Sequence, residues 1–372
     1  MLLRHNRIVI DLGAIQHNYR VLCDSIPENV RIMPVVKANA YGHGAVEVAK
    51  AVVTEGATFV AVALVEEGVL LRESGIRADI LVLGAAMEDA METAVKYGLT
   101  QTVFDPETLR ALNRVAGYLG TKAVVHIKVD TGMNRIGLRT EEEAQALAAA
   151  LTACEHVEAR GIFTHFADAD HPLADGGLND FSIKQLQRFV QLKRFFQPTM
   201  LAHAANSASG LIAPCTYFQM VRAGIALYGY PPVPTHLPFQ SALSWESEVV
   251  QVKELALGDT VGYGRAFTAR QGTRIATVAV GYGDGYHRSG GNRAQMLVCG
   301  KRANVVGHIC MDQTMIDVTG IDGVKVGSPV VLIGAQGNGR IGADELAAWM
   351  NTISYEMLLS ITNRVHREYI RF

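Results

Sequence analysis

From the N-terminal region to about Tyr230, short apolar and β-branched runs alternate with longer stretches of helical period. Eight of the runs read as strands: RIMPVVKA, TFVAVA, DILVLG, QTVF, AVVHIKVD, EARGIFTHF, TMLAHA and YFQMVRAG. Amphipathic segments such as GAVEVAKAVVTEG, DPETLRALNRVAG and DFSIKQLQRFVQLKRFF lie between them. Regular alternation of strand and helix is the pattern of βα units around a parallel sheet. Eight units predict a (β/α)8 barrel, in somewhat fewer residues than the ~250 typical of that architecture.

The pattern changes after the proline-rich YGYPPVPTHLP. From there SWESEVVQVKEL, TRIATVAVG, QMLVCG, KRANVVGHI, QTMIDVT and SPVVLIG succeed one another with little helix between them. The expected fold is therefore α/β: an N-terminal (β/α)8 TIM barrel over residues 12–235 and a C-terminal mostly-β domain over residues 236–372. The first strand, RIVIDL, precedes the first barrel helix and is free to pair with either domain. Pairing with the second would make residues 1–11 a detached part of it.

One glycine pattern needs separate treatment. GNGRIG, Gly337 to Gly342, fits G-x-G-x-x-G, comes after the strand PVVLIG and precedes the helical ADELAAWM, the context of a dinucleotide fingerprint. Too little chain remains after Gly342 for the second half of a doubly wound sheet. A glycine-rich loop within a β domain is the expectation here.

Composition narrows the function. With 49% hydrophobic residues in 372, the chain buries a large core. Its 34 basic and 36 acidic side chains leave a net charge of −2, and neither sign forms the blocks that give nucleic acid an electrostatic footprint. Five cysteines, scattered and without a CxxC pair, favour neither a disulfide framework nor a thiolate metal site, and no metal is expected. The opening MLLRHNRIVIDLGAIQHNYR breaks its apolar run with charges before a signal-peptide core forms. No later stretch reaches the ~18 apolar residues of a membrane span. A cytoplasmic protein with a small-molecule partner is expected.

In a parallel barrel the working face lies at the C-terminal ends of the strands. Lys37 ends the first strand, and Lys128, Asp130 and Arg135 come with the fifth. His165 ends the sixth; His203, Asn206 and Ser207 belong to the seventh; Arg222, Gly224 and Ile225 belong to the eighth. Lys37, after the apolar IMPVV, is partly enclosed, so its ammonium needs either a counter-charge or a lowered pKa. Two readings stay open for it: a structural ion pair, or a desolvated amine that attacks carbonyls. Loops after strands seven and eight often cradle phosphate with backbone N–H groups, and Ser207 would add a hydroxyl.

The segments VVKANAYGHG, KVDTGMNRIG, THFADAD, HAANSAS, VRAGIALYG, VGYGRAF, GYGDGY and HICMDQTMID, in this order over essentially the full length, resemble the alanine racemase family. The resemblance implies pyridoxal 5'-phosphate as a Schiff base on Lys37. It also implies a homodimer whose two sites each borrow residues from the partner, and a cytoplasmic enzyme supplying D-alanine for peptidoglycan. It makes Lys37 the base on one face of alanine and Tyr263 the base on the other. A phenol ordinarily titrates near ~10, so such a base needs cationic help, and His165 with Arg222 forms the implied network, supported by His203.

By the same resemblance Arg222 faces the pyridine nitrogen and, since guanidinium keeps its proton, leaves that nitrogen unprotonated. Tyr41, Asn206, Ser207, Gly224, Ile225 and Tyr355 hold the cofactor. Arg135 meets its phenolic oxygen and the substrate, while Met311, Asp312 and Tyr282 contact the substrate or narrow the entrance. Lys128 is implied to be carbamylated and so a negative neighbour for Arg135; a salt bridge from Lys128 to Asp130 or another carboxylate is the alternative. Tyr355 and Met311 also read simply as packing residues. Two departures from the family pattern stand out: Asn134 in place of the glycine of DTGMGR, and the tail RVHREYI where proline commonly succeeds the valine. Rival activities are a serine or broad-specificity racemase, a decarboxylase of the same architecture, a non-catalytic carrier of the cofactor, and a cofactor-free lysine aldolase.

Overall fold

The computed structural model describes residues 5–371, so residues 1–4 and 372 of the expected segments lie outside the described residues. Two compact units emerge. One comprises Ile15–Ala40 and Gly44–Gln240; the other comprises the chain up to Ala14, Tyr41–His43 and the chain from Ser241 on.

The strand β1 (Arg7–Asp11) belongs to the second unit. The first unit carries β2 (Arg31–Pro34), β3 (Phe59–Val62), β4 (Asp79–Ala85), β5 (Thr100–Val103), β6 (Ala123–Lys128), β7 (Val157–Phe163), β8 (Leu201–His203) and β9 (Met220–Ala223). All eight runs expected from the sequence are present. β3 to β8 form one parallel sheet in chain order, and β2 pairs with β9 in parallel from Arg31↔Met220 to Pro34↔Ala223. The ring closes at two seams. A parallel bridge joins Val35 to Ala61 beside β3, and Gln219 and Arg222 donate their N–H groups to Ala202 and Ala205, each at 3.1 Å. This is the expected barrel.

The apolar runs become strands because both of their faces are covered: every residue of FVAV in β3 is buried. The helices start where the sequence supplies caps. Asp105 accepts the N–H of Thr108 at 2.8 Å ahead of Pro106, Thr140 and Glu143 form a reciprocal capping box, and Asn179 accepts from Ser182 at 2.8 Å. Leu109, Leu112, Leu147, Phe189 and Leu192 then bury against the sheet.

The second unit is built on β10 (Leu243–Glu254). It pairs antiparallel with β1 (Ile8↔Trp245), with Pro329–Gln336 (Ser247↔Val330) and, with a bulge between Val249 and Gln251, with Arg274–Val278. β1 also pairs in parallel with the last strand, His366–Ile370, starting at Arg7↔His366. GNGRIG proves to be a hairpin turn. Gln336 pairs with Gly339 across Gly337 and Asn338, Gly337 takes the positive φ of 58° that such a turn demands, and Gly342 begins the helix Ala343–Met350.

Candidate active site

Lys37 sits half-buried at the mouth of the barrel, directly after the buried Val35 and Val36. Burial, then the charge of Arg135, lowers its pKa, and Glu67 opposes them. The backbone just beyond Lys37 is unusual. Ala38, Asn39, Ala40 and Tyr41 all have φ between 51° and 53°, a left-handed turn of four L-residues that costs roughly 1–2 kcal/mol for each. Such strain concentrates where surrounding structure fixes a functional group.

Arg222, on β9, is the hub of the mouth and 3% exposed. One terminal nitrogen donates to the carbonyl of His203 at 3.0 Å and to its Nδ1 at 2.9 Å; the other donates to the carbonyls of Thr164 (2.7 Å) and Ala204 (2.9 Å) and approaches His165 Nδ1 at 3.3 Å. Because guanidinium only donates, both imidazoles must accept at Nδ1 and carry their proton on Nε2. His203 passes its proton side on to His126 Nδ1 at 3.0 Å and stacks on Phe163 at 4.8 Å. Burial, then the charge of Arg222, keeps His165 and His203 well below the usual imidazole range, and burial takes His126 to about 3. All three rings are neutral near pH 7, so the proton arrangement is dictated by Arg222 alone.

Lys128 is 3% exposed at the end of β6. Its ammonium reaches only the carbonyl of Val129 at 3.0 Å and lies 5.3 Å from the centre of the Phe163 ring. Burial and then Arg222 bring its pKa down to about 7. The alternative salt bridge to Asp130 does not form, because Asp130 spends its carboxylate on the adjoining loop. It accepts the N–H groups of Gly132 (2.9 Å), Asn134 (3.0 Å) and Arg135 (3.0 Å). Asn134 adopts φ 55°, a conformation open to asparagine as well as glycine, which explains how the loop carrying exposed Arg135 keeps its course without the expected glycine.

Gln185 is a residue the sequence reading missed. From the helix Asp180–Lys193 it donates to Thr131 Oγ1 and to the carbonyl of His165, both at 3.2 Å, and accepts the N–H of Ala167 at 3.0 Å. It thereby ties the Asp130 loop to the His165 segment. Across the mouth, Ser207 Oγ accepts the N–H groups of Gly224 (2.9 Å) and Ala226 (3.4 Å). Ile225 opens a 3-10 turn, where its N–H has no partner within the helix. Asn206 caps the next helix, with Oδ1 accepting from Ser209 N at 3.1 Å.

The remaining candidates lie in the β unit. Tyr41 is buried, with its phenol pKa raised by that burial, and its ring centre lies 6.0 Å from that of half-buried Tyr355. Tyr263, Tyr282 and Met311 are 70%, 40% and 53% exposed. Their loops are laced together: Tyr282 N–H donates to the Cys310 carbonyl at 3.0 Å and Gly283 N–H to that of Met311 at 2.8 Å. Gly281 permits this approach, since a Cβ there would stand 2.3 Å from the Cys310 oxygen. The Tyr263 turn rests on the same segment, with Gly262 against the His308 backbone. Asp312 is held by Arg364 at 2.7 Å.

Comparison with known proteins matches both halves. Residues 10–232 fit the alanine racemase N-terminal domain and residues 242–369 the C-terminal domain. The chain is 45% identical to an alanine racemase of Symbiobacterium thermophilum over 367 residues, 97% of this chain and 96% of the relative. Its structure is similar to that of alanine racemase from Bacillus anthracis with bound L-Ala-P, at TM-score 0.90 and 36% identity over 100% of this chain and 96% of the other. It is also similar to alanine racemase from Bartonella henselae with covalently bound pyridoxal phosphate, at TM-score 0.90 and 31% identity over 98% and 99%. Matched in both domains and at full length, the chain belongs to the alanine racemase family.

Proposed function

We propose that Lys37 and Tyr263 are the two bases that interconvert L- and D-alanine, Lys37 supplied by the barrel of one subunit and Tyr263 by the β unit of another in a homodimer. The observation that carries this reading is the pairing of two incomplete constellations. One is a barrel mouth with a poised amine; the other is a laced cluster of exposed Tyr263, Tyr282 and Met311. Large side chains held outward on ordered loops are what an interface covers.

The residues of the barrel mouth fit pyridoxal phosphate. Lys37 would take its aldehyde and Arg222 its ring nitrogen, while the phosphate would be met by Ser207, by the N–H of Ile225 and, once drawn off Ser207 Oγ, by that of Gly224, with Tyr41 and Tyr355 added by the family resemblance. Once bound, the cofactor supplies the electron sink that lets the Cα–H bond of alanine ionise. Lys37 and Tyr263 then divide the proton work between opposite faces of Cα, one taking a proton as the other gives one. His165, its Nδ1 turned to Arg222, presents Nε2–H as the donor available to the Tyr263 oxygen. Arg135 and the Met311–Asp312 backbone would hold the substrate carboxylate, and Tyr282 would narrow the approach, a restriction that suits a methyl side chain. Asn206 contributes by fixing the helix that carries Ser207.

Lys128 fits a carbamate. A neutral amine attacks carbon dioxide, an N–C bond forms, and nitrogen releases one proton, leaving an anion that Arg135 and Arg222 stabilise. Only the neutral amine reacts, so the carbamate fraction should rise as pH increases through about 7, where Lys128 loses its proton. With 13C-labelled bicarbonate, a protein-bound carbamate signal is expected that grows over this range and is missing in Lys128→Met. A signal of equal size in both proteins would rule out the assignment.

We place the enzyme in the cytoplasm, supplying D-alanine for peptidoglycan. Its five cysteines are free, with Cys23, Cys215 and Cys299 exposed, which suits a reducing compartment, and among the described residues no helix is long and apolar enough to cross a membrane. The direct test is chemical. The purified holoenzyme should be yellow, lose that colour on borohydride reduction with the label fixed on Lys37, and turn either alanine enantiomer into the racemate. Label on another lysine, or conversion of serine in preference to alanine, would overturn the reading.

A further inference from the structure

Glu67 lies outside the residues the sequence singled out, in the first turn of the helix Val65–Glu73. Its Oε1 accepts the N–H of Ala38 at 2.5 Å, while Oε2 accepts those of Ala63 at 2.8 Å and Leu64 at 3.2 Å. One carboxylate thus gathers three backbone donors from the ends of two neighbouring strands. One donor belongs to the residue directly after Lys37; the other two lie in the turn after β3.

The Ala38 contact falls at the start of the left-handed turn. Four consecutive L-residues at positive φ persist only when their surroundings over-determine them, and a charge-assisted hydrogen bond to the first N–H is such a restraint. Ala38 is exposed, so water competes for that N–H. The carboxylate prevails because its other oxygen is already fixed by Ala63 and Leu64 at the helix start.

We propose that Glu67 is the positioning residue of Lys37: it anchors the left-handed turn that aims the lysine and sets a negative charge against its amine. This rests on Lys37 being the cofactor lysine. The groups facing Lys37 come from three elements: Arg135 in the loop after β6, His165 at the end of β7, and Glu67. His165 is neutral at working pH. Burial and Arg135 favour the neutral amine, and Glu67 favours the ammonium. Without the carboxylate the two lowering influences act unopposed, so Lys37 should lose its proton at lower pH. A lysine that must return a proton as well as take one is then impaired as an acid.

The test uses the full-length protein freed of cofactor. Competitive acylation across a pH series, with the Lys37 peptide quantified by mass spectrometry, reports the titration of that amine. Glu67→Gln should shift the Lys37 curve to lower pH, and Glu67→Asp, which keeps the charge, should remain nearer the unmodified protein. Hydrogen exchange gives a second reading that needs no variant: the exposed Ala38 amide should exchange slowly in the unmodified protein. A Lys37 curve unmoved by Glu67→Gln defeats the electrostatic part, and an Ala38 amide exchanging at the rate of an open chain defeats the anchoring part. If Glu67→Gln does not fold, the Ala38 exchange decides alone. Borohydride label found away from Lys37 would instead sink the reading of Lys37 itself and leave both of these measurements standing.

Discussion

Tyr263→Phe is expected to lower kcat for racemisation roughly 100- to 10,000-fold, the usual contribution of a positioned proton-transfer group, and to do so in both directions. Every turnover needs one base on each face of Cα, so removing one hydroxyl stops inversion whichever enantiomer is supplied. The cofactor should stay attached, because Lys37, Ser207, Arg222, Gly224 and Ile225 lie in a different unit of the chain from Tyr263. The informative readout is α-proton exchange in deuterated solvent. With Lys37 intact, one enantiomer should exchange its α-proton and keep its configuration, while the other should exchange far more slowly. The ring of Tyr263 is exposed and its turn rests on backbone, so loss of the oxygen leaves packing unchanged and the deficit is chemical. Racemisation at the unmodified rate in Tyr263→Phe would end the two-base mechanism.

The barrel was legible in the sequence because parallel strands, covered on both faces, leave continuous apolar runs such as FVAV and DILVLG, and the helices between them advertise their caps at Asp105, Thr140 and Asn179. Shorter pieces of the β unit were not. Thr260–Val261 and Phe267–Thr268 make a two-residue pairing, too short for any alternation to register. The placement of β1 between β10 and the last strand depends on contacts between opposite ends of the chain, and no local pattern encodes these.

The site divides along the same line. Residues at the ends of strands, such as Lys37, Lys128 and Arg222, were visible because a charged side chain directly after an apolar run is conspicuous. Glu67, Gln185 and His126 were hidden. Glu67 looks like an ordinary acid in the first turn of a helix, and Gln185 like a polar residue on an amphipathic one, although it is 1% exposed. His126 points inward from the middle of a strand, where only the Arg222–His203 geometry reveals what it accepts. Lys128 shows the reverse: the nearby Asp130 suggested an ion pair, and the loop N–H groups had the stronger claim on that carboxylate.

Mixing two inactive proteins should restore activity. Let one protein carry Lys37→Ala and the other Tyr263→Phe, co-expressed with different tags so that mixed dimers can be isolated. If each site joins the barrel of one subunit to the β unit of the other, a mixed dimer holds one site with both lesions and one with neither. Random pairing makes about half of all dimers mixed, so the unfractionated pool should recover about a quarter of unmodified activity, and the isolated mixed dimer about half. Sites completed within one subunit would each carry a single lesion in the mixed dimer, and the pool would stay as inactive as its components. Shared sites would also account for why Tyr263, Tyr282 and Met311 stand exposed on loops so firmly laced together. Loops that serve another subunit must hold their shape before it arrives, because flexible loops would lose binding free energy to ordering at the interface. An isolated mixed dimer with no activity above that of its parents would show that Tyr263 acts within its own chain.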